Sequence, residues 1–366
     1  MKGLLVSINS IGELTGGGLY ARTLYSEFSA NYRKFDVICK ISDVENSANT
    51  DFINGNVTEL GKSLLSDIVS RFLLSPTFLM TYFLKILIQA KEYDIIHFHS
   101  SRNIPLALLV KFLLRKRVIV HFDNIEYKLS LKLCGFSPLI LLRLYDACLL
   151  YVYEKFLWRI MSSESSFITS SDRLGLKYYN ASIIPIKIKS SFSSFACDLI
   201  KNRSKIPFSL IFVASFSHSP NIQAFLHVLK IAEEFSMYNF NVVGRHACFL
   251  KYDKRRYRNV IVHSDVSSEK LDELYRSSHI SLNLVSDGGG MKTKIAEAMS
   301  YTLPVICHPH STIGYEKVLS NPLILQVESD DDIKIAVEKI FELYTFLDLK
   351  LFNNYWDDFF SNYMIK

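Results

Sequence analysis

Short apolar runs alternate with longer stretches of helical period along the whole chain. In the first half, residues 3–8, 35–41, 94–99, 117–122, 166–170 and 182–185 predict strands. Between them, 19–31, 76–92, 105–116 and a long stretch from Pro138 to about Met161 predict helices. The polar stretches 190–194 and 201–205 predict a linker. The pattern then restarts. Strands are predicted at 209–214, 239–244, 260–263, 279–285, 304–307 and 323–327, and helices at 221–235, 268–277, 291–300, 330–344 and 349–363. Strand and helix alternating at this spacing predict two doubly wound α/β domains with parallel sheets. Ligands of such sheets sit beyond the carboxyl ends of the strands.

Length and composition agree with that organisation. The chain has 366 residues, enough for two domains, with 49% hydrophobic and 21% charged residues, so it folds as a globule. Cys39, Cys134, Cys148, Cys197, Cys248 and Cys307 are scattered, without C-x-x-C pairs, which predicts reduced thiols and no structural zinc. The first apolar run is too short for a secretory leader, and a cytoplasmic location is the expectation.

Charge changes the picture. Residues 1–200 hold 23 Lys and Arg against 17 Asp and Glu, whereas 201–366 hold 19 of each. The positive field of the first half fits an anionic substrate or an anionic membrane surface. Residues 75–89 and 105–117 are apolar helical stretches too short to span a bilayer; a sheet-covering role and an interfacial role are both open for them.

Candidate chemistry centres on Gly288, Gly289 and Gly290, which follow a predicted strand and open a predicted helix. Without Cβ atoms the backbone there approaches a bound group closely, and the first helical N–H groups favour an anion. Lys292 and Lys294 add cations, and a diphosphate is the guest these features suit. The spacing is neither a Walker A loop nor a dinucleotide fingerprint. Glu297, about two turns into the helix among apolar neighbours, suits the paired hydroxyls of a sugar. His97 and His99 share one strand face without an evident third ligand, so no metal is expected. Residues 251–258 interleave basic and aromatic side chains but lack a nucleic-acid-binding context, so no nucleic acid is expected.

The array Gly288-Gly-Gly-Met-Lys-Thr-Lys-Ile-Ala-Glu-Ala-Met-Ser-Tyr-Thr-Leu-Pro-Val-Ile resembles the nucleotide-sugar signature of GT-B glycosyltransferases, in particular the retaining family-4 type. Residues 210–221, 241–245, 262–275, 93–99, 118–127 and the tail with Trp356 are similar to further family segments in the same order. The resemblance implies two Rossmann-like domains facing across a cleft: 1–195 for the acceptor, 206–345 for the donor, and a closing helix, 346–366, that crosses back. It implies that Gly288, Gly289, Gly290, Met291 and Lys292 hold the donor phosphates and that Glu297 binds the ribose. Gly16, Gly17 and Gly18 would form the loop facing donor phosphates and acceptor. No cofactor is implied beyond the nucleotide-sugar co-substrate.

The departures are specific. The first glutamate of the family's Glu-x7-Glu falls at Gly289, and the Arg and Lys after the first donor-domain strand are replaced by Ser215-Phe-Ser-His218. Leaving-group compensation then falls to Lys292, Lys294 or Arg245, with His218 also near a phosphate. The family's first-domain histidine falls at Asp123, so the catalytic candidates are His121, Asp123 and Glu126. The expected activity is retaining transfer of a sugar from UDP or GDP to a lipid-linked or membrane-associated glycan, in bacterial surface polysaccharide synthesis, with peripheral membrane contact on the inner face as an accompaniment. Alternatives are an epimerase of the same fold and a non-catalytic nucleotide-sugar-binding subunit.

Overall fold

Leu4-Leu5-Val6 are wholly buried, as a strand covered on both faces requires. They lie in β1 (Lys2–Val6), an interior strand of a seven-stranded parallel sheet in a computed structural model. It describes residues 1–13, 15–42, 53–134, 140–161, 164–189, 197–287, 289–346 and 349–365. The chain divides into two compact units, Met1–Ile186 and Lys187–Lys366.

In the first unit the other strands are β2 (Lys34–Lys40), β3 (Val57–Leu60), β4 (Ile95–His99), β5 (Arg117–Phe122), β6 (Ser166–Phe167) and β7 (Ser182–Ile183). Their order is β3-β2-β1-β4-β5-β6-β7, so the order reverses between β1 and β4. The helices are α1 (Gly16–Ser29), α2 (Leu64–Phe72), α3 (Phe83–Ala90), α4 (Ile104–Leu114), α5 (Glu126–Cys134), α6 (Ile140–Val152), α7 (Trp158–Met161) and α8 (Ser170–Leu176). One face of the sheet packs on a core of Val6, Phe98, Val120 and Phe122 against Ile104, Ala107 and Val110 of α4.

Several expectations are refined. The helix expected over 76–92 is a 3-10 turn, Phe78–Tyr82, followed by α3. The long helix is broken by one π-turn, Tyr153–Leu157, between α6 and α7. The strand expected over 166–170 stops at Phe167, because Thr169 caps α8 by accepting from Asp172 N at 3.0 Å.

In the second unit the strands are β8 (Ile188–Lys189), β9 (Ser209–Val213), β10 (Asn239–Gly244), β11 (Val260–Ser264), β12 (Ile280–Asn283), β13 (Val305–Cys307), β14 (Ile324–Gln326) and β15 (Met364–Ile365). Six of them form a parallel sheet in the order β11-β10-β9-β12-β13-β14, reversing between β9 and β12, and β15 pairs separately with β8. The helices are α9 (Cys197–Arg203), α10 (Ser219–Glu234), α11 (Ser268–Ser277), α12 (Thr293–Ser300), α13 (Asp330–Phe346) and α14 (Leu349–Tyr363). In α14, buried Trp356 donates from Nε1 to the Met299 carbonyl of α12 at 3.2 Å.

The expected linker at 201–205 is instead partly α9, and 190–194 lie outside the described residues. The reason is Arg203. Its guanidinium is fully buried and donates to the carbonyls of Tyr275, Arg276, Tyr301 and Thr302 at 2.7–3.2 Å. One side chain thus satisfies the open carbonyl ends of α11 and α12.

Candidate functional site

In the second unit the loops after β9 and β12 flank the reversal of strand order, where a doubly wound sheet opens toward ligand. Gly290 turns the β12–α12 loop with φ +67°, a conformation side chains disfavour. Gly288 lies outside the described residues. Met291 is buried beneath the loop, and Lys292 takes the N-cap position of α12 without a side-chain cap. Lys292 Nζ reaches the Gly289 carbonyl at 3.4 Å. The first turn of α12 is held from below: Tyr315 OH accepts from Ala296 N at 3.2 Å and donates to the Lys292 carbonyl at 2.8 Å. Ser311 Oγ donates to the Val285 carbonyl at 2.7 Å, which ties the segment after β13 to the segment after β12.

Glu297 is half-buried and pairs with Lys294, Oε2 to Nζ 2.5 Å. Behind it, buried Tyr275 stacks on Tyr301 at 4.8 Å. Burial, then the Glu297 carboxylate and Tyr301, push the Tyr275 hydroxyl well above its ordinary value. That hydroxyl is buried and has no hydrogen-bond partner. Arg245 and His218 are exposed on the loops after β10 and β9. The two loops are joined, since Phe216 N donates to the Arg245 carbonyl at 3.0 Å. Asn221 Nδ2 donates to the Ser215 carbonyl at 2.7 Å and fixes the turn before α10. Loops from β9, β10 and β12 thus bring Gly289–Lys292, Lys294, Glu297, Arg245 and His218 to one edge of the sheet. Sequence reasoning missed Tyr275, Tyr315 and Ser311, which lie outside the glycine–lysine–glutamate array and carry no local pattern.

In the first unit, Gly16, Gly17 and Gly18 form the first turn of α1, and Thr15 caps it by accepting from Gly18 N at 3.2 Å. A Cβ on Gly18 would lie 2.3 Å from the Glu13 carbonyl oxygen, so the loop after β1 closes onto the helix only with glycine there. Beside it, β4 and β5 place His97, His99 and His121 fully buried. A chain of hydrogen bonds links Tyr32 OH to His97 Nε2 (2.7 Å), His97 Nδ1 to His121 Nε2 (2.9 Å) and His121 Nδ1 to Ser166 Oγ (2.6 Å). Burial holds His97 down to about 3, with Arg117 adding, and holds His121 well below its usual value. Both imidazoles are therefore neutral, and both nitrogens of His121 are engaged inside the protein.

Asp123 follows β5. Its Oδ2 lies 3.4 Å from His99 Nε2, and His99 Nδ1 meets Ser7 Oγ at 2.9 Å. Asp123 Oδ1 is buried and has no hydrogen-bond partner. Burial alone would raise this carboxyl, but His99, with Arg102 beyond it, brings it below its ordinary value. Glu126 opens α5 and accepts from Nε and Nη2 of Arg102 at 2.8 and 2.7 Å. Burial, with Asp123 adding, raises Glu126 against the pull of Arg102. Glu154, in the π-turn, accepts from Ser101 Oγ, Glu126 N and Tyr127 N at 2.6–3.2 Å and so caps α5. Asp123 and Glu126 thus stand at one strand end, while His121 lies behind them in the sheet. His99, Arg102 and Glu154 complete the cluster; the alternating His97-Phe-His99 face was the sequence signal for His99. Among the described residues no group of three or more His, Cys, Asp and Glu side chains is placed to hold a metal ion.

Residues 207–344 match the family described as Glycosyl transferases group 1. No curated protein matches the sequence. Among solved structures, sucrose-phosphate synthase from Thermosynechococcus elongatus aligns over 100% of this chain and 95% of its own, with a TM-score of 0.66 and 11% identity. HepE of Anabaena in complex with UDP aligns over 100% and 96%, with a TM-score of 0.66 and 12% identity. The lipopolysaccharide outer core galactosyltransferase WaaB aligns over 99% of each chain, with a TM-score of 0.60 and 11% identity. At these identities the likeness is one of fold.

Proposed function

We propose, from the match of residues 207–344 to Glycosyl transferases group 1 and from the fold shared with glycosyltransferases, that this chain is a GT-B glycosyltransferase that moves a sugar from a UDP- or GDP-sugar to a hydroxyl of a lipid-linked or membrane-associated glycan, with retention of configuration. Use in building a bacterial surface polysaccharide belongs to the same proposal. The observation that carries it is the β12–α12 segment: a glycine loop, two lysines and a half-buried glutamate on one short helix at the switch point of the sheet. HepE is described in complex with UDP and with UDP-glucose, and WaaB as a galactosyltransferase, which supports a nucleotide-sugar donor.

In this reading Glu297 accepts from the ribose hydroxyls, and Gly288–Met291 and the start of α12 hold the diphosphate. Lys292 and Lys294, with Arg245 and His218 at the same edge, offset the charge that grows on the leaving diphosphate. Such fixed charges act more strongly on the transition state than on the bound donor, which lowers the barrier. The sugar passes through an oxocarbenium-like state. Asp123 takes the role that the family gives to a histidine, with Oδ2 steadied by His99. Glu126 and Arg102 fix the backbone around it, and His121 acts through the buried chain behind. Gly289, standing where the family has a glutamate, removes a contact to the transferred sugar.

The test is a thermal-shift panel of UDP-, GDP-, ADP- and CMP-sugars, followed by turnover assays with the stabilising donor and lipid-linked acceptors. Stabilisation by one nucleotide class and acceptor-dependent release of its diphosphate are expected. No stabilisation by any of them would sink the reading. Conversion of the donor without acceptor would point to an epimerase, and binding without any turnover to a non-catalytic subunit.

A further inference from the structure

Helix α2 is inside out. Its buried residues are Ser66 and Ser70, while Leu64, Leu65, Ile68 and Phe72 are 79, 70, 44 and 83% exposed. A helix on a water-facing globule turns its apolar stripe toward the core. Here Ser63 and Ser66 form a capping box, and Arg71 reaches inward to Asp146 of α6 with two 2.9 Å bonds. Tyr145 OH donates to the Arg71 carbonyl at 2.8 Å and so holds α6 beside α2. The exposed apolar surface continues on α6, where Leu141 is 80% and Leu144 40% exposed.

The charges of the same region are one-sided. Segments 62–74 and 126–152 contain Lys62, Arg71, Lys128, Lys132 and Arg143 against Asp67, Glu126 and Asp146. Glu126 and Asp146 are buried in pairs with Arg102 and Arg71. Arg71 is neutralised in the second of these pairs, so Lys62, Lys128, Lys132 and Arg143 stand against Asp67, which lies 3.4 Å from Lys62. An apolar stripe with a basic border is the surface chemistry of a helix lying in the headgroup layer of an anionic bilayer. A second copy of this chain would bring the basic borders together across a two-fold axis, which like charges oppose.

We propose that the α2–α6 face docks the protein on an anionic lipid surface. Phe72, Leu65 and Leu141 enter the acyl boundary, and the neighbouring cations meet the headgroups. The apolar helices singled out in the sequence, now α3 and α4, bury Ile86 and Leu87, and Leu106 and Val110, in the core, and expose Leu84, Ile88, Phe112 and Leu113 on their outer sides. No helix among the described residues is long and apolar enough to cross a membrane. The inference rests on the sugar-transfer reading only in giving its membrane-borne acceptor a surface to sit on.

The experiment is co-sedimentation of the full chain with vesicles of phosphatidylcholine alone and of phosphatidylcholine containing about 30% phosphatidylglycerol. The comparison is the Leu65→Ser, Phe72→Ser double variant. Wild type should pellet with the anionic vesicles, and the variant should partition at least about tenfold less. Both should melt alike, since both positions are exposed. Wild type remaining in solution with both vesicles, or a variant pelleting like wild type, overturns the proposal. A concentration-dependent dimer abolished by the variant, without vesicle binding, overturns it in favour of a second copy. Nucleotide thermal shifts on the same samples separate the two readings. A retained shift without vesicle binding sinks docking alone, and vesicle binding without any shift sinks sugar transfer alone.

Discussion

The carboxyl edge of the first sheet is closed and internally paired, whereas that of the second is open and charged. His97, His99 and His121 are fully buried and Asp123 and Glu126 nearly so, each tied to a named partner. On the second sheet Glu297 and Lys294 keep 26 and 39% of their side chains exposed, and Arg245 and His218 lie on the surface. A buried cluster in which most groups are paired, Asp123 Oδ1 excepted, loses little freedom when a ligand arrives and holds its groups in one orientation. An open edge of cations around a helix start suits an anion that brings its own charge and takes up the available N–H groups. The contrast agrees with the proposal that the first edge orients and the second compensates ligand charge.

The largest expected effect separates the two edges. Asp123→Asn should lower kcat/KM by about 10²–10³-fold while nucleotide affinity stays within about twofold. A parallel fall in nucleotide affinity would break the division of labour. Next, Glu297→Gln should weaken nucleotide-sugar binding by about 10–100-fold in calorimetric titration, the worth of a hydrogen bond to a charged group. The melting temperature of the free protein should hardly move, because the side chain reaches solvent and its pair with Lys294 is partly exposed. Unchanged affinity would take Glu297 out of the donor site. Smaller again, Lys292→Ala should weaken binding by about tenfold at low salt and by less as ionic strength rises. A loss independent of salt would mean that the lysine acts through packing instead of charge.

The sequence was informative where pattern and burial agree. Residues 239–244, 268–277 and 349–363 are the observed bounds of β10, α11 and α14, because each has a clean apolar period and, for α11, a Ser267 cap. The strand–turn–helix setting of Gly290, Lys292 and Glu297 was legible for the same reason. α2 was not, since its apolar stripe faces outward and its inner face is serine. α5 was assigned no element, because Glu126 is stabilised at the helix start by Glu154, 28 residues away. α9 was hidden because its anchor, Arg203, takes carbonyl partners more than 70 residues distant. The supporting roles of His99 and Tyr315 likewise depend on partners that only the fold supplies. Local composition carries no trace of such long-range polar contacts.

Glu154 gives the finest probe of the closed edge. Burial pushes its carboxyl up to about 7, while Ser101 Oγ and the N–H groups of Glu126 and Tyr127 pull the other way without prevailing. A carboxyl whose folded value lies above its unfolded one binds its proton more tightly in the native state. Its stabilisation is therefore complete below the unfolded value, near 4.5, and is lost as pH rises through about 7. Wild type should lose stability from this source between about pH 5 and about pH 8, by at most about 3 kcal/mol. Glu154→Gln keeps an acceptor for the start of α5 but cannot ionise, so its melting temperature should gain on wild type across that window. Parallel pH profiles for the two proteins would mean that water reaches the carboxylate, and the first edge would then be no more closed than the second.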